Sequence, residues 1–203
     1  MSPRTAQKVD IETIREQILD SASERFQQFG YGKTTMAEIA SDCEMSASNL
    51  YRFFENKQDI GAALAAGCLM TRAEHLGMVV AQSDRGAAER LEEYIQIMLH
   101  HTHQQCSTAP RMVELVDHIC EHRPDLVMDH QQDMTSLMSE LLQQGVASGE
   151  FEIVDIEAVA KAILTATVVF EVPHFMSLHT LKEFETLASN LSHLLVCGLQ
   201  KRT

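Results

Sequence analysis

Tryptophan is absent, aromatic residues make up only 5% of the chain, and there are four prolines and nine glycines. So few rings argue against a β-sandwich core, which leans on aromatic and β-branched side chains. The scarcity of proline and glycine leaves no room for a long disordered or collagen-like stretch. No apolar run approaches the ~18–20 residues needed to span a bilayer. The polar start Met1-Ser2-Pro3-Arg4-Thr5 carries no apolar signal segment, so a cytoplasmic location without a membrane partner is expected. The five cysteines (Cys43, Cys68, Cys106, Cys120, Cys197) are odd in number, widely spaced and form no CxxC pair, which fits reduced thiols. Enzyme signatures are missing as well. There is no GxSxG, P-loop, GxGxxG or HExxH, and the carboxylates Glu89, Glu92 and Glu93 read as a solvated helix face. No catalytic residue, metal site or cofactor is expected.

What is present is a chain of 203 residues, 45% hydrophobic and 22% charged, with eleven methionines. That length suits one ordinary domain, or a small domain fused to a larger one, and a core of Leu, Ile, Val and Met suits helices. The net charge of −13 at first argues against nucleic acid. Its distribution weakens that objection. Residues 1–57 carry seven Lys/Arg against nine Asp/Glu, whereas residues 58–203 carry nine against twenty. Overall charge governs solubility and long-range steering and does not decide what one face contacts.

Helical periodicity runs nearly throughout, and no segment alternates at period two. Ile14, Ile18, Leu19, Ala22, Phe26 and Phe29 form an amphipathic stripe that ends at Gly30. Thr35-Met36-Ala37-Glu38 is a capping box that opens a short helix over 36–42, and Ser46 is an N-cap for another over 47–53. Asn56 caps a long helix to about Val80. Further helices are expected at about 86–106, 110–121, 124–147, 156–172 and 180–199, with Pro110 and Pro124 in first turns, Gly145 and Gly149 at an exit and Thr180-Leu181-Lys182-Glu183 as a second capping box. The expected class is all-α with about nine helices: a three-helix N-terminal head over 1–56 and a larger helical body over 57–203.

Two short helices joined by a tight turn and preceded by a longer one outline a helix-turn-helix. Gly30-Tyr31, Thr34-Thr35, Ile39-Ala40, Met45-Ser46, Leu50-Tyr51, Phe53-Phe54 and Lys57, at these spacings, closely resemble the N-terminal signature of the TetR family of bacterial transcriptional regulators. The resemblance covers about residues 14–64. It departs from the family pattern at Arg52 and Phe53, where His or Lys and then His or Tyr are frequent, and at Asn49, where small residues are. Both departures fall on the operator-reading helix and bear on which sequence is read. The residue chemistry points the same way. Short polar side chains near a helix start reach base edges in the major groove. Ser46, Ser48 and Asn49 qualify, with Ala47 suited to a thymine methyl, and Tyr51 and Arg52 to the backbone or an adjacent base. The resemblance also implies DNA contact for Thr35, Tyr51 and Lys57, of which Thr35 and Lys57 lie at helix starts that favour phosphate. Arg4, Lys8 and Lys33 are further arm or loop candidates, whereas Leu50, Phe53, Phe54 and Ile39 read as core.

The last two helices carry more apolar surface than a monomer can cover. Ile163, Val168, Phe184, Leu187, Leu191 and Leu195 are the expected interface of a two-fold homodimer, the arrangement that the resemblance also implies. The methionine-rich stretch 69–141 suits an apolar effector as well as a plain helical core. Leu69, Met70, Met98, Met112, Leu115, Ile119, Met134 and Met138 are the candidate lining, with His101 or His118 as polar contacts. The histidine and cysteine clusters (His100, His101, His103, Cys106; His118, Cys120, His122) leave open a metal- or redox-sensing switch on the same scaffold. His118 and His122 share a face at i, i+4, but no third ligand follows from sequence. The expected function is a dimeric, effector-responsive repressor of operator DNA. The alternatives are that sensing switch and a DNA-binding protein with no small-molecule effector.

Overall fold

The computed structural model describes residues 3–200, with side chains from Ile11 onward; the side chains of Arg4 and Lys8 lie outside the described residues. Among the described residues there is no strand, only an isolated bridge between Phe151 and Gln200. The elements are α1 (Pro3–Phe29), α2 (Met36–Asp42), α3 (Ala47–Leu50), α4 (Lys57–Val80), α5 (Ala87–Thr108), α6 (Met112–His122), α7 (Pro124–Ser148), α8 (Ile156–Ala166) and α9 (Leu181–Leu199), with 3-10 turns at Val168–Phe170 and Pro173–Ser177. No helix among the described residues is long and apolar enough to cross a membrane.

Two compact units emerge. The first contains residues 1–68 and 109–126, the second residues 69–108 and 127–203. In the first, Ile18, Ala22 and Phe26, spaced i, i+4, i+8 on α1, are fully buried against Ile39, Leu50, Phe54, Ile60 and, from α6, Leu115 and Ile119. Both caps expected of the sequence form. The Thr35 hydroxyl accepts from the Glu38 amide while the Glu38 carboxylate takes the Thr35 N–H at 2.8 Å, and Thr180 with Glu183 repeats the pattern. The Asn56 side chain accepts from the Asp59 amide at 2.9 Å at the start of α4.

In the second unit α5 packs along α9. Tyr94, Met98, Leu141, Phe170, Phe184 and Ala188 are buried in one continuous core. Within that apolar body lies one ionic cluster. Arg72, 6% exposed, donates to Glu171 Oε1 at 3.2 Å, and His130 Nε2, from α7, donates to the same oxygen at 3.2 Å. Burial pushes the Glu171 carboxyl up, but the His130 hydrogen bond and the Arg72 charge win and hold it below its ordinary value. His101, beside Arg72, is pushed down to about 4, by burial first and then by the Arg72 and His75 charges.

Three boundaries differ from the sequence expectation. Helix α3 ends at Leu50, because Arg52 and Phe53 donate back three residues and tighten the chain into single turns. Helix α6 starts at Met112, so Pro110 precedes it. Helix α8 stops at Ala166 rather than near 172. The Thr167 hydroxyl folds back onto the Ile163 and Leu164 carbonyls, and Pro173 holds Val172 extended at ψ 120°.

Candidate nucleic-acid interface

The turn between α2 and α3 explains how two short helices hold a fixed angle. The Met45 amide bonds the Ala40 carbonyl at 2.9 Å and the Glu44 amide bonds Ser41 at 3.1 Å, the pairing of a Schellman helix stop. Its left-handed residue is Glu44, at φ 53°, where glycine is usual. A non-glycine residue there costs about 1–2 kcal/mol, so the surrounding packing of Ile39, Ala40 and Leu50 must hold the turn. Two arginines brace the helix pair, one at α2 and one just after α3. Arg25 grips Asp42 with two hydrogen bonds, at 2.5 and 3.2 Å, and reaches Glu38 at 3.3 Å. Arg15 donates to the Phe53 carbonyl at 2.6 Å with its guanidinium over the Phe54 ring. Neither arginine stood out in the sequence, where both look like solvated positions of an amphipathic helix.

With Leu50 and Phe54 buried, the opposite face of α3 and its following turn is open. Ser46, Ser48, Tyr51 and Arg52 are exposed, Tyr51 by 53%, while Ala47 and Asn49 are half-buried. Ser48, Tyr51 and Arg52 stand at i, i+3, i+4. The Ser46 hydroxyl caps the helix by accepting from the Asn49 amide at 3.2 Å, and Arg52 donates to Asn49 Oδ1 at 3.5 Å. Thr35 is exposed at the start of α2, and Lys33 is exposed in the loop before it.

Lys57 sits differently. Its half-buried ammonium donates to the carbonyls of Tyr31 at 2.6 Å and Thr34 at 2.8 Å, with Gly32 at 3.5 Å, and lies over the Tyr31 ring. Burial lowers its pKa, against the raising effect of Glu114 and Glu38. An ammonium has three N–H donors, and three carbonyls take them. Lys57 therefore clamps the loop that presents Thr35. Glu114, on α6, completes the clamp by accepting from the Gly32 amide at 2.8 Å. Lys57→Met, which keeps the stem and deletes the charge, is expected to destabilise this unit by about 1–3 kcal/mol. It should also speed hydrogen exchange of the 32–35 amides, measured by mass spectrometry; unchanged protection there would remove the clamp role.

The other candidate residues divide between the units. Met112, Leu115, His118 and Ile119 belong to the first, with Leu115 and Ile119 in its core. Leu69, Met70, Met98, His101, Met134 and Met138 belong to the second. Of these, Met98, Met134 and Met138 pack into one core, Leu69 is half-buried and Met70 is 61% exposed. The candidate lining is thus shared between the two units, four residues in the first and six in the second. Helix α6 carries its apolar face into the first unit, and no periodicity reveals which neighbour such a face meets. His118 and His122 stack ring on ring with centroids 4.1 Å apart, and His122 Nδ1 lies 3.0 Å from the His118 carbonyl. Among the described residues no three His, Cys, Asp or Glu side chains are grouped to hold a metal ion. None of the five cysteines is in a disulfide. Ile163 and Phe184 lie in the core of the second unit, Leu191 and Leu195 are partly buried against it, and Val168 and Leu187 are 43% and 44% exposed.

Residues 18–64, which hold this helix-turn-helix, match the family described as bacterial regulatory proteins, tetR family, and residues 87–191 match the tetracyclin repressor-like C-terminal domain. The chain belongs to the TetR family. TetR-family proteins are DNA-binding transcriptional regulators, often responsive to small molecules, and in general not enzymes. Solved structures of TetR-family regulators share its fold. A putative TetR-family regulator from Mesorhizobium loti, 14% identical, aligns over 94% of this chain and 98% of its own with a TM-score of 0.76. SmeT, the repressor of the Stenotrophomonas maltophilia multidrug efflux pump SmeDEF, is 20% identical over 92% of this chain and 90% of its own, with a TM-score of 0.67. Thermus thermophilus FadR, a TetR-family repressor solved with lauroyl-CoA, is 17% identical over 93% of this chain and 96% of its own, with a TM-score of 0.64. Among curated proteins none matches the sequence.

Proposed function

We propose that this TetR-family regulator is a cytoplasmic homodimeric repressor that reads a two-fold operator through α3 and leaves it when a small, mainly apolar effector binds its body. The observation that carries the reading is the division of α3 and its turn. Leu50 and Phe54 hold the element in the core while Ser46, Ser48, Tyr51 and Arg52 stand open to a groove. Thr35, at the start of α2, is a phosphate contact in this reading, Ala47 and Asn49 face bases, and Lys57 acts by holding the Thr35 loop. Dimerisation is supported by the apolar side chains left uncovered, Val168, Leu187 and Leu194, on the last elements. Effector release is supported by the methionine-rich core of the second unit and by α4, of which residues 57–68 belong to one unit and 69–80 to the other. A ligand against Leu69, Met70 or Met98 that shifts α4 needs a coupling of only about 1.4 kcal/mol for a tenfold loss of operator affinity.

Selection of bound sequences from a random duplex pool tests the reading. A pseudo-palindromic site is expected, and failure of every duplex to bind better than about millimolar in low salt would overturn it. On the selected site, Arg52→Ala should weaken binding and lower the salt slope by about one phosphate per subunit, with sequence preference retained. Asn49→Ala should instead shift preference at one position of each half-site, by about 1–3 kcal/mol.

A further inference from the structure

The ionic cluster of the second unit joins residues from four places. Arg72 lies on α4, Thr102 and His101 on α5, His130 on α7, and Glu171 in the two-residue link between the 3-10 turns. Arg72 and His130 are 6% and 9% exposed and Thr102 is fully buried. A buried ion group of this kind is seldom the most stable filling of a core, since apolar residues of similar volume do as well or better. Its geometry is also slack. Arg72 meets Glu171 Oε1 at 3.2 Å, His101 Nδ1 at 3.4 Å and the Thr102 hydroxyl at 3.5 Å, all longer than the roughly 2.7–2.9 Å of a well-made charge-assisted bond. A guanidinium fork matches both oxygens of a carboxylate, yet Glu171 offers it Oε1, and that oxygen also accepts from His130. Glu171 is more open than its two ionic partners, its side chain 24% exposed against 7% for Arg72 and 10% for His130. It stands outside regular helix with its carbonyl accepting from the Thr102 hydroxyl at 3.3 Å, so exchange requires only its side chain to turn outward.

We infer that Arg72 and His130 form a carboxylate-receiving site that the chain's own Glu171 keeps filled, and that the effector is an apolar molecule bearing one carboxylate, which enters by exchanging with Glu171. The inference rests on the effector reading above and narrows it to one chemical class. Exchange of one carboxylate for another leaves Arg72 paired throughout and sends Glu171 outward to water. A neutral or cationic ligand taking the same place would strand a buried guanidinium, a loss no apolar contact of ordinary size offsets. An untethered carboxylate can also turn both oxygens to the fork, which Glu171 does not. The apolar part of the ligand then meets the neighbouring core, in which Met98 and Met134 lie.

The test uses the full chain with Glu171→Ala and sodium propionate as probe, against propionamide and sodium chloride at matched ionic strength. Binding is followed by ligand-observed NMR and by the melting temperature. Propionate should bind Glu171→Ala at least tenfold more tightly than the unaltered protein, propionamide should not distinguish them, and adding Arg72→Met should erase the propionate preference. If Glu171→Ala does not fold alone, recovery of the helical circular dichroism signal on refolding in propionate, and not in propionamide, is the same result. Propionate acting no differently from chloride, or recovery in neither additive, overturns the inference. Operator binding by the unaltered protein is measured separately, without additive. If that binding is present and propionate discrimination is not, only the carboxylate inference falls; if no duplex binds, the regulator reading falls and the propionate result stands by itself.

Discussion

Glutamate in place of Leu194 is expected to convert the proposed dimer into a folded monomer and to weaken operator binding by about 10²–10⁴-fold, because one half-site must then be held without the other. Leu194 is 68% exposed and Leu187, seven residues earlier on the same face of α9, is 44% exposed. The residues that anchor α9 in its own unit, Phe184, Ala188 and Ser192, form a separate buried stripe and are untouched. A charge at Leu194 would therefore meet water in the monomer and an apolar partner in the proposed dimer, where an unpaired charge costs several kcal/mol. Leu191 and Leu195, equally apolar in sequence, are partly buried against the core, so a glutamate there would confuse unfolding with dissociation. Sedimentation of the variant at micromolar concentration, with circular dichroism as the folding control, decides the matter. A variant that stays dimeric, or an unaltered protein that is monomeric, removes the proposed interface.

Alanine at Gly145 is the second large effect. This glycine lies inside α7, where alanine ordinarily stabilises a helix by up to about 1 kcal/mol. Here an added methyl would sit 2.2 Å from the Phe151 ring and 2.9 Å from the Ala87 Cβ. Phe151 is itself 3% exposed and has nowhere to retreat. Overpacking of this kind costs about 1–3 kcal/mol, and at this closeness the upper end or beyond is expected. Gly67 supplies the contrast. It lies inside α4 with nothing within 4 Å of an added Cβ, so Gly67→Ala should raise stability by up to about 1 kcal/mol. Urea midpoints of the two variants should move in opposite directions; a shared direction would mean that helix propensity, and not the Phe151 contact, governs Gly145.

Gly145 shows where sequence reading ends. It looks like an exit signal near Gly149, and only Gly149, at φ 81°, serves that purpose, while Gly145 is a point of close approach. A glycine that ends a helix and one that admits a neighbour are the same letter. The segments were far more legible. Thr35 with Glu38, Ser46 with Asn49, and Thr180 with Glu183 are local hydrogen-bonding patterns, closed within four residues, and all three form as their spacing implies. The stop of α2 was harder, because its left-handed residue is Glu44 and carries no glycine signal.

Lys57 belongs to the same lesson. Its place at the start of α4 follows from the Asn56 cap, and so does its suitability for phosphate. That its ammonium turns to the carbonyls of Tyr31 and Thr34 depends on a loop more than twenty residues earlier lying beside it. Arg72 is starker. Nothing in its local sequence, Thr71-Arg72-Ala73-Glu74-His75, marks it for burial, and its partners stand 29 to 99 residues away. The sequence by itself determined the all-α class, the helices and caps, and the exposed polar face of α3, since each depends on residues within a turn or two of one another. Which faces then meet was decided by the tertiary structure alone: α6 joining the first unit, Ile163 and Phe184 turning inward, Arg72 finding Glu171 and His130. Apolar stripes are interchangeable in composition, and only shape and charge across long separations choose among them.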